Sequence, residues 1–173
     1  MLVNSKKMLN DARDNYYPIY QFNINNLEWV KIILEECNEL KTPVILGASE
    51  GAIRYMGGYN VVANLVRSLI QDLKISVDVA LHLDHGSSLE SCQKAIDAGF
   101  TSVMIDASKY NLEENIKITR EVVSYAHEKG VFVEAISHKL VGYKEALKEA
   151  TLDLLEKVDD IKEKEVMSII YGQ

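Results

Sequence analysis

The chain has 173 residues, 47% apolar and 26% charged, with a formal net charge of −7. That length fits one domain with a real core and argues against a second full domain. The acidic balance, with Lys and Glu interspersed, argues against nucleic acid as the main partner, because phosphate binding needs clustered, unopposed basic side chains. With only two prolines there is no linker or disordered tract to name. Cys37 and Cys92 each fall on an apolar face of a predicted helix, so free buried thiols in a reducing compartment are expected. Near the N-terminus, Lys6, Lys7, Asp11, Arg13 and Asp14 crowd a short span with no apolar stretch to serve as a signal peptide or membrane span. The expectation is a soluble, cytoplasmic protein with no membrane partner.

In chain order, Met1 to Asn15 reads as a short helix, and Tyr17 to Ile24 as a strand opened by Pro18 and ending on polar Asn23. Leu27, Val30, Leu34 and Cys37 recur at helical spacing, with Asn25 and Glu28 as the cap and Thr42-Pro43 as the stop. Val44 to Leu46 is a second strand leading into Gly47-Ala-Ser49-Glu-Gly51, again a small and polar strand end. Tyr55 to Tyr59 reads as a loop around Gly57-Gly58, and Val61 to Leu73 as a helix with Leu65, Leu69 and Val62 facing inward.

The third strand, Val79 to Gly86, reads Val-Ala-Leu-His-Leu-Asp-His-Gly and carries the densest chemistry. Strand alternation puts His82 and Asp84 on one face, with His82 pointing into the sheet interior or barrel lumen in a hydrogen-bonded structural role. His85 joins the same site only if regular strand geometry ends there, a break assigned to Gly86. Ser87 with Glu90 three residues on fits a capping box, so helix amides begin beside the two polar side chains. A carboxylate and an imidazole at a strand end, above a helix N-terminus, suit metal binding, proton transfer or anion capture.

Ser88 to Ala98 then forms a helix burying Leu89, Cys92 and Ile96 and stopped by Gly99. Strand four, Ser102 to Asp106, also ends on a carboxylate. Asn111 with Glu114 caps a long helix to Lys129, with Ile116, Thr119, Val123 and Ala126 on one face, and Val131 to Ile136 is strand five. Five repeats of strand, polar strand end and helix predict an α/β fold with a parallel sheet and ligands at the carboxyl ends of the strands. Asn23, Ser49, Asp84, His85 and Asp106 all sit at such ends, where side chains from different strands converge.

Gln21-Phe-Asn-Ile-Asn-Asn26, Pro43-Val-Ile-Leu-Gly-Ala-Ser-Glu-Gly51, Leu81-His-Leu-Asp-His-Gly86, Ala98-Gly-Phe-Thr-Ser-Val-Met-Ile-Asp-Ala-Ser108 and Val133-Glu-Ala135 occur in this order and spacing. Together they resemble the class II fructose-bisphosphate aldolases, including the tagatose-bisphosphate branch, over about residues 1–135. The resemblance implies parallel (β/α) repeats of a TIM-barrel type, zinc as cofactor, a phosphorylated ketose or triose phosphate as ligand, and a homo-oligomer. By resemblance, Asp84 matches the catalytic proton donor and His85 one of three zinc histidines. Asp106 matches a carboxylate ligand of a second metal, and Asn23 and Ser49 match substrate-binding positions.

The pattern departs from the family at Ile136, where a metal-binding Glu would follow Glu134-Ala135 and a glycine-rich catalytic loop would come next. Instead, residues 136–173 read as one further αβ unit packing on the same sheet, with an amphipathic helix over Tyr143 to Asp160 and a strand over Val166 to Tyr171. The chain is therefore expected to hold about five family strands plus one unit from an unrecognised tail. Beyond His85, the later histidines are His127, on the polar side of a helix, and His138, just past strand five. Two functional readings follow: an aldolase cleaving a ketose bisphosphate, or a non-catalytic half-barrel short of zinc ligands.

Overall fold

The computed structural model describes residues 2–136. The element order is α1 (Ser5–Asp14), β1 (Tyr20–Asn23), α2 (Leu27–Glu39), β2 (Val44–Ser49), α3 (Glu50–Met56), α4 (Tyr59–Asp72), β3 (Val79–Gly86), α5 (Leu89–Ala98), β4 (Ser102–Ile105), α6 (Leu112–Glu128) and β5 (Phe132–Ala135). The five strands form one sheet in the order β1-β2-β3-β4-β5, every neighbouring pair parallel. Sequential neighbours linked by helices are what a run of βα repeats produces. The sheet of the described residues is open, as in a partial TIM-type barrel.

Strand alternation divides the sheet into two unlike faces. Val44, Leu46 and Ala48, Val79, Leu81 and Leu83, and Val103 and Ile105 form one large core with Val30 and Leu34 of α2, Val62 and Val66 of α4, Cys92 and Ile96 of α5, and Val122 and Ala126 of α6. Helices α2 to α6 therefore all cover the same face, which is barrel-like and unlike a doubly wound sheet with helices on both sides. On the opposite face, Ile45 and Ala80 pack with Met8 of α1 in a small separate cluster. Further along that face lie His82, Ser102 and Glu134, all buried and polar. Both cysteines are free and buried, and burial pushes the Cys92 thiol up to about 12.

Several local assignments differ from the sequence reading. Residues 55 and 56 are helical, the last turn of α3, so only Gly57-Gly58 remain as loop. Gly57 takes a φ of 106°, a left-handed cap at which glycine carries no Cβ penalty. Helix α2 is capped by Asn26, whose side chain accepts from the Trp29 amide at 2.9 Å, and not by Asn25; Leu27 is exposed. Helix α4 buries Val62, Ala63 and Val66, whereas Leu65 and Leu69 lie only at the margin of the core. Strand β1 is shorter than its apolar run and begins at Tyr20. The predicted helix and strand within residues 143–171 lie outside the described residues.

Candidate active site

The five sequence-selected residues occupy the carboxyl ends of three neighbouring strands and the residue after a fourth. Asn23 ends β1, Ser49 ends β2, Asp84 and His85 lie near the end of β3, and Asp106 follows β4. In the β2–β3 ladder Ser49 stands opposite Asp84. Between β3 and β4 the register shifts: Leu83 pairs with Val103 but Gly86 pairs with Ile105, so two β3 residues, Asp84 and His85, face the single residue Met104. This is a bulge, a device that re-aims side chains at a strand end.

The backbone change falls on His85 itself, with a φ of 54°, a left-handed conformation uncommon for histidine and costing about 1–2 kcal/mol. The strand runs on through Gly86, which corrects the expectation that Gly86 supplies the break. Glycine is needed at position 86 for space. A Cβ there would lie 2.8 Å from Leu83 Cδ2, 2.9 Å from the Met104 carbonyl oxygen and 3.0 Å from Cys92 Sγ.

The re-aimed His85 ring meets Asp106, with Nδ1 2.9 Å from Oδ2. A carboxylate can only accept, so Nδ1 carries the proton and donates, and in the neutral ring Nε2 keeps its lone pair. That is how a metal-binding histidine is oriented by a carboxylate behind it. Burial pushes the Asp106 carboxyl up, but hydrogen bonds from Ser108 and His85 outweigh it and hold the group below its ordinary range. Asp106 is tied in further by its amide, which donates to the Gly86 carbonyl at 2.9 Å.

The capping expected of Ser87 belongs to its neighbour. Ser88 caps α5, accepting from the Ser91 amide at 3.2 Å, and Ser91 Oγ in return accepts from the Ser88 amide at 3.2 Å. Glu90 takes no part in that box. Ser87 instead donates its amide to Glu50 Oε1 at 2.8 Å and its hydroxyl to the same oxygen at 2.9 Å. Sequence reasoning passed over Glu50; its signal was an acid directly after a polar strand end. Ser49 Oγ accepts from the Ala52 amide at 3.2 Å as the cap of α3, leaving its proton free to donate towards a ligand. Asn23 Oδ1 lies 3.2 Å from the position a Gly47 Cβ would take, so glycine there makes room for the Gln21 and Asn23 side chains.

His82 is buried in the sheet interior as expected, sharing a 2.8 Å hydrogen bond with Ser102 Oγ. Its Nε2 has no hydrogen-bond partner among the described residues, and Glu134 Oε2 at 3.7 Å is too distant to supply one. Burial, with repulsion from His85 second, lowers its pKa from 6.5 to about 4. Burial thus removes the charge that an ion pair with Glu134 would require. A neutral buried histidine has a pH signature. Above pH 6.5 both folded and unfolded chains hold it neutral; as pH falls from 6.5 towards 4 only the unfolded chain takes the proton, so stability is lost across that window. The shift corresponds to about 3 kcal/mol. Urea unfolding of the wild type should fall more steeply between those pH values than that of His82→Asn; parallel profiles would show that His82 is protonated in the folded state.

A catalytic zinc ordinarily takes three protein ligands and keeps one open position. Among the described residues no group of three His, Cys, Asp or Glu side chains converges in a way that could hold a metal. His127 is exposed on α6, away from the strand ends, and His138 lies outside the described residues. The donor set described here, one imidazole backed by one carboxylate, therefore falls short of a complete zinc centre.

The family model for class II fructose-bisphosphate aldolase matches residues 3–167. The chain belongs to that family. It is 61% identical to the fructose-bisphosphate aldolase of Geobacillus stearothermophilus over 134 residues, 78% of this chain and 47% of the relative. It is 59% identical over the same length to the fructose-bisphosphate aldolase of Staphylococcus aureus strain Mu50, again covering 47% of it. The chain thus spans about half the length of the curated relatives it matches. Among solved structures, the YdjI aldolase from Escherichia coli K12 superposes with a TM-score of 0.78 at 30% identity, over 92% of this chain and 58% of that one. A putative fructose-1,6-bisphosphate aldolase from Coccidioides immitis gives 0.71 at 28% identity, over 84% of this chain and 50% of that one.

Proposed function

We propose that this aldolase-family chain contributes the proton-transfer side of a ketose-bisphosphate lyase centre, acting on a phosphorylated ketose such as fructose 1,6-bisphosphate and yielding two triose phosphates. The observation that carries the reading is the bulge at Asp84 and His85, which face the single residue Met104, together with the His85 ring bonded to Asp106. Asp84 takes the proton from the substrate hydroxyl as the adjacent carbon–carbon bond breaks; that carbon leaves as the aldehyde, and the electron pair stays on the ketone fragment as an enediolate. Asn23 and the Ser49 hydroxyl, at the neighbouring strand ends, hold the phosphorylated substrate in place. Zinc, as the family cofactor, would polarise the ketone. The donors among the described residues do not complete its site.

A triose-phosphate assay with added zinc tests the proposal. Turnover that Asp84→Ala reduces by about 10²-fold or more supports it. Turnover unchanged in that variant removes Asp84 from the reaction, and no turnover at any zinc concentration leaves the non-catalytic reading, which the short donor set favours. Weak zinc binding is expected in either case, through His85 Nε2, because Asp106 is engaged behind the ring at Nδ1. A chain that kept one zinc per subunit after dialysis against a mild chelator would show that an unassigned ligand completes the site. No helix of the described residues is long and apolar enough to cross a membrane. A reducing cytoplasm suits the chain's two free, buried thiols.

A further inference from the structure

Glu50 stands just after β2, one residue beyond Ser49, yet its carboxylate reaches across to the end of β3. Oε1 accepts the Ser87 amide at 2.8 Å and the Ser87 hydroxyl at 2.9 Å, and Oε2 lies 3.2 Å from the same hydroxyl. These are charge-assisted bonds, stronger than neutral ones. They also run between residues 37 apart in sequence, so they fix one strand end against another.

What they fix is the segment that carries the reactive pair. His85 holds a φ of 54°, a conformation that persists only where its surroundings over-determine it. On the β4 side the restraint is the ladder: Gly86 pairs with Ile105, and the Asp106 amide donates to the Gly86 carbonyl. On the β2 side, beyond the regular pairing that ends at Asp84, the restraint is Glu50 acting on Ser87. Without it, the peptide units around Gly86 and Ser87 can rotate, and relief of the left-handed strain at His85 would swing the ring off Asp106.

We propose that Glu50 is a positioning residue: by clamping Ser87 to the end of β2, its carboxylate keeps His85 in the left-handed bulge conformation that aims Nδ1 at Asp106. Arg54, one turn on in α3, supports the charged form of Glu50, and with the serine hydrogen bonds it offsets the cost of partial burial. Glu50 need not touch substrate; it acts through the backbone of residues 85–87. The effect on turnover rests on the functional reading above, but the geometry can be tested without it.

The histidine ring is the reporter. Long-range ¹⁵N–¹H correlation of the His85 imidazole in the full chain should show the Nδ1–H tautomer in the wild type. Glu50→Ala should shift it towards the Nε2–H form and speed exchange of the Ser87 amide by on the order of tenfold or more. Glu50→Gln, whose amide oxygen can still accept the Ser87 amide, should restore the Nδ1–H signal. Asn4→Ala, which uncaps α1 beside Val79 at the opposite end of β3, supplies a control for stability loss alone and should leave the tautomer unchanged. If Glu50→Ala does not fold, Glu50→Asp, one methylene too short to span the gap, should show the same shift. An unchanged His85 tautomer in the folded Glu50 variant, or an equal shift in Asn4→Ala, would overturn the proposal. If the chain turns over substrate, Glu50→Ala should lower kcat with little change in KM; if it does not, the ring signals still decide the point.

Discussion

Glycine-to-alanine replacement at position 86 should destabilise the fold by about 3 kcal/mol or more, the upper range for overpacking a well-filled site. The added methyl would lie 2.8 Å from Leu83 Cδ2, 2.9 Å from the Met104 carbonyl oxygen and 3.0 Å from Cys92 Sγ. Leu83 and Cys92 are fully buried, so neither can swing into solvent. The Met104 carbonyl belongs to β4, which is held between β3 and β5 and cannot yield alone. Relief must therefore come from parting β3 and β4 near the bulge, which also pulls Asp106 from His85, because the Asp106 amide is bonded to the Gly86 carbonyl. Gly51→Ala is the natural comparison. There the nearest atom is Ser49 Oγ at 3.7 Å, and position 51 is an exposed site in α3, so alanine should be neutral or stabilise by up to about 1 kcal/mol. Urea unfolding of the two variants should separate them clearly. A Gly86→Ala protein within about 0.5 kcal/mol of wild type would mean that the strands at the bulge part without cost.

The contrast between these glycines shows what a sequence does and does not disclose. The bounds of β3 could be read directly, because an apolar run between polar flanks has one natural extent, and Gly99 marked the end of α5 through the left-handed cap it forms, with a φ of 96°. The bulge could not be read. It depends on how β3 aligns with β4, a pairing between segments that no local pattern encodes, and so the histidine rather than the adjacent glycine bears the unusual backbone. The caps of α2 and α5 were misplaced for a related reason, whereas Asn111, with no rival beside it, caps α6 as read. Asn25 and Asn26, like Ser87 and Ser88, offer equivalent local chemistry, and a distant partner, Glu50, decides that Ser87 is engaged elsewhere. Helix α3 escaped notice because its seven residues, two of them buried, are too few to show a period. At the site, Asp84 and His85 announced themselves by type and position, as did the carboxylate of Asp106. The one residue missed, Glu50, works through a backbone contact 37 positions away.

The exposed rim of β1 leads to the second large expected effect, on assembly. Among the described residues β1 has a single neighbour, β2, so its outer backbone groups lie at a sheet edge. Beside that edge Tyr20, Phe22, Trp29 and Ile32 are all exposed, Ile32 at 58%. A groove of about 550 Å³ runs between strand and helix there, lined by Gln21, Phe22, Asn23, Trp29, Ile32 and Ile33. An unpaired edge flanked by aromatic side chains is a template for another strand, and such clustered apolar surface marks a contact site. The partner expected is a second copy of the chain, because an edge strand is self-complementary: turned about a two-fold axis, Tyr20–Asn23 can pair antiparallel with its own counterpart and stack the Phe22 and Ile32 surfaces together. Light scattering should therefore report a dimer or larger species at micromolar concentration. Phe22→Glu combined with Ile32→Glu should shift it towards monomer, since each copy then brings like charge to the middle of the contact. The apolar Val166, Ile169, Ile170 and Tyr171, expected to form a terminal strand of their own, lie outside the described residues. A wild-type chain that stayed monomeric at high concentration and unfolded cooperatively would mean that residues beyond 136 fold back over this edge and supply in one copy the cover assigned here to the second.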